Sequence, residues 1–292
     1  MKLEINHRTT YRYDQPVALA QHRLHMLARP TPLQTVLRSR LMIEPAPTVR
    51  ADAVDVFGNA VTSVEIERPH EELVIEAASS VDVAPPKAIP TSAGPRWNEI
   101  DAAIRELDQK EALAVRQARC MSALTRAPAG LVEYVVTSFP DGRPLVEAAL
   151  DLTRRITQEF RFDVTATDVS TPLGTVLKSR RGVCQDFAHL TIAGLRALRI
   201  PARYVSGYIL TIPPPGRPKL MGADASHAWV SVWCGKGLGW IDFDPTNGRL
   251  AGEDYATVAW GRDYADVSPI TGILLGGGSH VVTVGVDVKA VP

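Results

Sequence analysis

The first 83 residues alternate between polar and apolar positions with a period of two. Val, Ile, Thr and Tyr are frequent in them, and such residues suit the pleated surface of a half-buried strand. Pro, Asp-Gln and Gly-Asn interrupt the alternation, as turn residues do. The stretches with this pattern are "LEINHRTTYRY", "VLRSRLMIEP", "VTSVEIERP" and "ELVIEAASSVDV". Residues 1–83 are therefore predicted to form an antiparallel β-sandwich-like domain or a curled sheet.

A proline-rich stretch and a helical pattern follow this β-rich region. Residues 84–97 contain four prolines, too many for a helix or a central strand. From there the apolar residues recur at helical spacing, which predicts one helix over 98–126 and another over 143–160. The segment 84–140 is accordingly predicted to be a linker with helical content.

The last segment, residues 141–292, changes from a helical to an alternating pattern. Apolar residues at helical spacing in "CQDFAHLTIAGLRALRI" predict an amphipathic helix. Four later stretches, "ARYVSGYIL", "HAWVSVW", "GWIDFDP" and "SHVVTVGVDVKAV", alternate as strands do. The chain is therefore predicted to be an α+β protein whose last segment places a helix on a sheet and ends in a strand.

Composition narrows the function classes. The 292 residues are 45% hydrophobic and 22% charged, with 32 basic and 32 acidic side chains, which is typical of a globular protein with no net field. We expect neither a nucleic-acid nor a membrane partner. The N-terminus has no continuous apolar stretch, so a cytoplasmic location is predicted. Three widely spaced cysteines argue against a disulfide framework or a zinc knuckle and leave free thiols.

One of these cysteines, Cys184 in "RRGVCQDFAHL", falls in the first turn of the amphipathic helix. The unpaired N–H groups and the positive end of the helix dipole stabilise a thiolate there, and such positions lower the pKa of cysteine. Gly182 allows the chain to turn sharply into the helix. A nucleophile and a buried structural cysteine are both compatible with this stretch alone.

A histidine and an aspartate on two later strands support a nucleophilic role for Cys184. His227 and Asp244 lie equally far from a tight turn placed at Gly235 and Lys236, so the two side chains face each other. A longer loop with an even number of added residues would keep both on one face. Such a carboxylate orients an imidazole that takes a thiol proton. A surface ion pair of little energetic value is the alternative.

Four motifs in order, GVCQDFAHL, IPARYVSGYI, DASHAWVSVW and GWIDFDPTNG, resemble the core of the bacterial transglutaminase-like superfamily of papain-type cysteine enzymes. "HRTTYRYDQPV" and "DVFGNAV" resemble the β-rich N-terminal region that accompanies this core in bacteria, and "GRDYADVSPITG" with the last strand resembles its C-terminal segment. The resemblance implies a papain/transglutaminase-like core in which the nucleophile helix packs on an antiparallel sheet.

By position, the resemblance implies that Cys184 is the nucleophile, His227 the general base and Asp244 the orienting acid. It implies acyl transfer from peptide or glutamine amide bonds of a protein or peptide substrate, with no cofactor or metal required. Hydrolysis is favoured over amine transfer because it demands less of the site. Where many relatives carry a tyrosine, this chain has Phe162, which lacks a hydroxyl to hold an oxyanion. The N–H of Cys184 is one expected oxyanion donor, and the second donor stays open.

Several other polar residues are predicted to have structural roles, and two alternative functions stay open. His189 lies about 140° around the helix from Cys184 and is predicted to have a structural role, and Asp186 is predicted to cap the helix. Asp224 is expected to hold the loop that bears His227. A metal hydrolase built on His22 and His25 lacks nearby acidic or thiol ligands. The remaining alternative is a catalytically silent binding or scaffold module.

Overall fold

The protein is described here from a computed structural model that covers residues 1–211 and 226–292. The strands, in chain order, are β1 (Lys2–Leu24), β2 (Gln34–Glu44), β3 (Val49–Val54), β4 (Ala60–Ile66), β5 (His70–Val83), β6 (Arg161–Phe162), β7 (Arg181–Gly182), β8 (Ala202–Ile209), β9 (Ser226–Trp233), β10 (Trp240–Asp244), β11 (Arg249–Leu250), β12 (Tyr255–Gly261), β13 (Ile270–Gly276) and β14 (His280–Val291). The helices are α1 (Ile100–Arg105), α2 (Gln109–Gln117), α3 (Leu131–Val136), α4 (Leu145–Glu159), α5 (Leu173–Ser179), α6 (Cys184–Ala197) and α7 (Tyr264–Val267), with 3₁₀ turns at Trp97–Glu99 and Ala123–Thr125. No helix in the described parts of the chain is long and apolar enough to cross a membrane.

The long strand β1 organises the N-terminal sheet. Its first half pairs with β5 and β14, and its second half pairs with β4 and β13, always antiparallel. β2 extends the sheet beyond β5, and β3 extends it beyond β4. Apolar side chains from both halves, among them Leu24, Ile66 and Leu73, share one buried core. The predicted antiparallel, β-rich N-terminal region is confirmed as a curled sheet.

The C-terminal strand, which the sequence groups with residues 141–292, pairs with β1 in this N-terminal sheet. The register runs from Lys2 opposite Val291 to Tyr13 opposite His280. The alternation of polar and apolar residues does not predict β3 and β13, because their residues are exposed on both faces almost throughout. Such strands have no buried side to produce a period of two.

The helical segment is more broken than its apolar spacing predicts. The single helix expected over 98–126 is wrong, because the chain forms α1 and α2 with a break between them. Asp108 accepts hydrogen bonds from the N–H groups of Lys110 and Glu111 and so begins a new helix. The second predicted helix, over 143–160, is confirmed as α4.

A second sheet, together with α6, forms the papain/transglutaminase-like core that the resemblance implies. Its strand order is β11-β10-β9-β8-β12, with antiparallel neighbours. The amphipathic helix α6 packs on β8 and β9 through buried residues such as Phe187, Leu190 and Leu195. At Gly194 a side chain would collide with Val135 of α3, so glycine is required where these helices touch. The predicted helix packed on an antiparallel sheet is confirmed.

Two buried amide side chains join the N-terminal sheet to this core. Gln34 donates to the carbonyl of Thr257 and accepts from its N–H, both at 2.8 Å. Asn59 does the same with Trp260, at 2.8 and 2.9 Å. These amides satisfy backbone groups of β12 much as a neighbouring strand would. The sequence motif "DVFGNAV" therefore acts as a contact between the two sheets.

We expect Asn59→Ala to destabilise the protein by about 2–4 kcal/mol, because it removes the hydrogen-bond partner of the partly buried N–H and C=O of Trp260. Urea denaturation followed by circular dichroism measures the change. Asn98→Ala, which removes an exposed amide bonded to Asp141, is the control and should cost less than about 0.5 kcal/mol. Equal effects of the two substitutions would contradict the docking role of Asn59.

Candidate active site

Cys184 is the first residue of α6 and is partly exposed. The start of the helix is fixed by Asp186, whose Oδ2 accepts the N–H of Val183 at 2.8 Å and the hydroxyl of Thr167 at 2.6 Å. A Cβ on Gly182 would lie 2.7 Å from the same oxygen, so glycine permits this close approach. Burial raises the pKa of Asp186 despite these hydrogen bonds. The capping role predicted for Asp186 is confirmed.

The pairing of β9 with β10 decides between the two connections that the sequence leaves open. Trp240 lies opposite Trp233, and Asp242 lies opposite Ser231. The connection is the longer loop over 234–239 and not a tight turn at Gly235 and Lys236. In it the N–H of Cys234 donates to the carbonyl of Gly239 at 2.7 Å. The register shifts by two residues, so His227 and Asp244 become diagonal neighbours on the same face.

The structure brings His227, Asp244 and Cys184 together. His227 Nε2 lies 2.7 Å from Asp244 Oδ2, and both side chains are buried. The side chain of Cys184 also interacts with this imidazole and contributes to raising its pKa. The imidazole therefore interacts with both a thiol and a carboxylate.

The electrostatics of this group favour an ion pair. Burial opposes protonation of His227, but hydrogen bonds and charges of Asp244 and Cys184 outweigh it and raise its pKa to about 9. Burial also opposes ionisation of Asp244, yet the bonds and charge of His227 and the hydrogen bonds of Tyr255 and Asn247 lower its pKa to about 2. At neutral pH the site thus holds an imidazolium beside a carboxylate.

Asp244 is completely buried and accepts five hydrogen bonds. Oδ2 accepts from His227, from the Tyr255 hydroxyl at 2.6 Å and from the Asn247 amide at 2.6 Å. Oδ1 accepts the backbone N–H groups of Thr246 and Asn247. Tyr255 and Asn247 are partners of Asp244 that the sequence did not predict. "DPTN" carries the local turn chemistry that points to Asn247, whereas nothing local points to Tyr255 on a distant strand.

Aromatic rings enclose the bond between His227 and Asp244. The ring of Trp229 stacks 6.1 Å from that of His227, and Tyr255 meets Trp229 edge-on at 5.3 Å. Trp229 is fully buried, and its Nε1 donates to Asp242 at 2.9 Å. A Cβ on Gly207 would lie 2.6 Å from Trp229 Cη2 and would also collide with the Ala256 carbonyl. Gly207 therefore leaves room for the rings that keep water from this hydrogen bond.

The remaining candidate residues lie apart from this group. His189 accepts the N–H of Tyr264, and burial lowers its pKa to about 4, so it is a neutral structural residue. Phe162 lies half exposed on β6, which pairs with β7 just before α6. His22 and His25 are buried in the N-terminal sheet. Among the described residues no group of three His, Cys, Asp or Glu is placed to hold a metal, and Asp224 lies outside them.

Tyr255→Phe tests whether the hydroxyl on Asp244 adjusts the imidazole. Without this donor the carboxylate keeps more negative charge for His227, so the pKa of His227 should rise further above 9. The alkaline limb of the pH profile of Cys184 alkylation should therefore move to higher pH. Tyr264→Phe is the matched control. If the pH profile of Cys184 alkylation stayed unchanged, Tyr255 would contribute only to packing.

Comparison with known proteins agrees with this architecture. Residues 3–82 match the bacterial transglutaminase-like N-terminal region, and residues 129–245 match the transglutaminase-like superfamily. The chain is 40% identical to an uncharacterized protein of Mycobacterium tuberculosis, across 98% of this chain and 92% of that protein. The chain belongs to the transglutaminase-like superfamily, a family of cysteine-dependent enzymes.

Two further similarities bear on the fold and on the core. A crystal structure from Cytophaga hutchinsonii, described as a "Putative Cysteine Protease", superposes with a TM-score of 0.75 and 22% identity, over 99% of this chain and 90% of that one. It shows the same fold. A protein-glutamine gamma-glutamyltransferase of Pseudomonas aeruginosa is 39% identical over 69 residues, which are 23% of this chain and 10% of that protein.

Proposed function

We propose that the protein is a thiol-dependent acyl-transfer enzyme that acts on amide bonds of proteins or peptides, with Cys184 as nucleophile. The observation that carries the proposal is that one imidazole, His227, is hydrogen-bonded to the buried carboxylate of Asp244 and has its pKa raised by both Asp244 and Cys184. Nucleophilic catalysis by a thiol needs a base beside the thiol and an acid that orients this base.

In the proposed reaction His227 already holds the proton of the thiol as an imidazolium, and the thiolate sulfur of Cys184 bonds to the amide carbonyl carbon. The negative charge that develops on the carbonyl oxygen is held by the N–H of Cys184 at the positive end of α6. His227 then protonates the leaving amine as the C–N bond breaks, which leaves a thioester. Water attacks the thioester, gives one proton to His227 and releases the carboxylic acid and the thiolate, which restores the starting state.

Hydrolysis is the proposed fate of the thioester, because it requires no acceptor site beyond access for water. Transfer to an amine would follow the same first half-reaction and differ in the second. The reaction products distinguish hydrolysis from transfer to an amine. Hydrolysis of a backbone amide creates a new amino terminus, hydrolysis of a glutamine side chain releases ammonia, and transfer links a supplied primary amine to the peptide.

The test is the alkylation rate of each cysteine by iodoacetamide as a function of pH, read by peptide mass mapping. The chain provides its own controls, because Cys120 is exposed and Cys234 is fully buried. Cys184 should react well below the ordinary thiol pKa of about 8.5, and this reactivity should disappear in His227→Ala. Cys184 labelling no faster than Cys120 would overturn the proposal in favour of a silent binding module.

A further inference from the structure

Four arginines line a cavity of about 430 Å³: Arg116, Arg119, Arg196 and Arg199. Arg116 lies on the last turn of α2, and Arg196 lies on the last turn of α6. The cavity is thus at the end of α6 that is remote from Cys184, about 18 Å along the helix axis. None of its lining residues belongs to the candidate active site.

Arg196 is a fixed charge in the wall of this cavity. It is buried, and its guanidinium donates to the carbonyls of Ala118, Ala202 and Arg262 and to the hydroxyl of Thr125. Burial lowers its pKa to about 10, so it remains charged at neutral pH. These partners hold the guanidinium in place but, apart from their dipoles, supply no negative charge.

Two of the other three arginines share one carboxylate. Asp101 lies 2.5 Å from Arg119 and 3.5 Å from Arg199. Arg116 is exposed and forms no side-chain hydrogen bond or ion pair with any described residue. The charge of Arg116 is therefore unmatched, and Arg119 and Arg199 divide a single negative charge between them.

The wider surroundings do not remove the positive excess. Asp263 and Asp266 also act on the charge of Arg196, but Asp266 is bound by Arg262 through two contacts of 2.8 Å. The four lining arginines and Arg262 thus face three aspartates, which leaves two positive charges. The carbonyl ends of α2 and α6 contribute about half a negative charge each, so an excess of about one charge remains.

We propose that this cavity binds a small phosphate-bearing anion. Guanidinium groups offer paired N–H donors that match phosphate oxygens, and arginines are used in proteins where such an anion must be held. The positive excess attracts such an anion, and Arg116, whose side chain has no partner among the described residues, offers free N–H donors to its oxygens. The volume admits free phosphate, pyrophosphate or a small phosphate ester.

Isothermal titration calorimetry at constant ionic strength tests the site with inorganic phosphate, pyrophosphate and glycerol 3-phosphate, and with citrate as a carboxylate comparison. One-site saturable binding of at least one phosphate probe, tighter than that of citrate, is expected. Preference for glycerol 3-phosphate would indicate an ester, and preference for an inorganic probe a free anion. The absence of saturable binding by all three phosphate probes, or tighter binding of citrate, would overturn the proposal.

The matched variants are Arg116→Gln/Arg199→Gln and Arg38→Gln/Arg40→Gln. Each removes two charges from exposed arginines, and those of the second pair lie on β2 and form no side-chain ion pair with the described residues. The first variant should bind the phosphate probe at least tenfold more weakly, while the second should bind it like wild type. If both variants bound the phosphate probe equally weakly, the binding would reflect general charge attraction, and the proposed site would be excluded. Melting temperatures without ligand check that both variants fold.

Discussion

Cys184→Ala is expected to abolish amide turnover, with a loss of at least about 10⁴-fold in kcat/KM, while the fold is retained. The side chain lies partly exposed at the start of α6, and its loss removes the thiol without opening a buried cavity. No other described thiol replaces it, since Cys120 is elsewhere on the surface and Cys234 is buried, which raises the pKa of its thiol.

The measurement is initial-rate kinetics on the peptide found to be turned over, together with the melting temperature. Cys120→Ala is the matched control, because it deletes an exposed thiol that is not part of the group around His227. It should retain wild-type kinetics. Appreciable turnover by Cys184→Ala would exclude the thioester route, whatever the pH behaviour of the cysteines.

Asp244→Asn is expected to cost about 10²- to 10⁴-fold in kcat/KM, less than loss of the nucleophile, because Asp244 orients the base without touching the substrate. The neutral amide keeps the shape but loses the charge that stabilises the imidazolium. The pKa of His227 should therefore fall below its value of about 9, and the alkaline limb of the rate profile should move to lower pH.

The same variant should change how stability depends on pH. The pKa of Asp244 is lowered, to about 2, so its contribution to stability is present above the unfolded value near 3.8 and is lost as the pH falls through 2. The pKa of His227 is raised, so its contribution is complete below 6.5 and is lost as the pH rises through about 9. The stability difference between wild type and variant should be largest between about pH 4 and 6.5.

Urea denaturation across this pH range measures that difference. Asp151→Asn is the control, because Asp151 forms a surface ion pair with Arg143 at 3.5 Å, and such pairs contribute little. It should lower stability by under about 1 kcal/mol at every pH. A stability difference for Asp244→Asn that does not vary with pH would contradict the charged pair.

The parts of the site that sequence predicts are those carried by local chemistry. The helix start at Cys184 follows from the apolar spacing of α6 and from Gly182, and the shared face of His227 and Asp244 follows from strand alternation. Alternation fixes the face of a strand but not its offset from a partner. The loop at 234–239 therefore moved the register by two residues without separating the pair.

The parts that sequence does not predict depend on contacts between distant segments. Tyr255 reaches Asp244 from β12, which lies at the opposite end of the sheet order from β10 and β11. Asn59 and Gln34 read as ordinary turn and strand residues, and their role exists only once β12 lies beside them. No periodicity carries such information, because these contacts are made by single side chains.

β1 acquires its partners at very different times during synthesis. β5 pairs with its first half soon after it is made, whereas β14, with Val291 opposite Lys2, is made after almost the entire described chain. Until then one edge of β1 has no partner, and an open strand edge invites pairing with other chains. Pairs this far apart in sequence also close slowly. A nascent or truncated chain that ends before β13 is therefore expected to need a chaperone, and removal of residues 270–292 should yield aggregates rather than a smaller soluble protein.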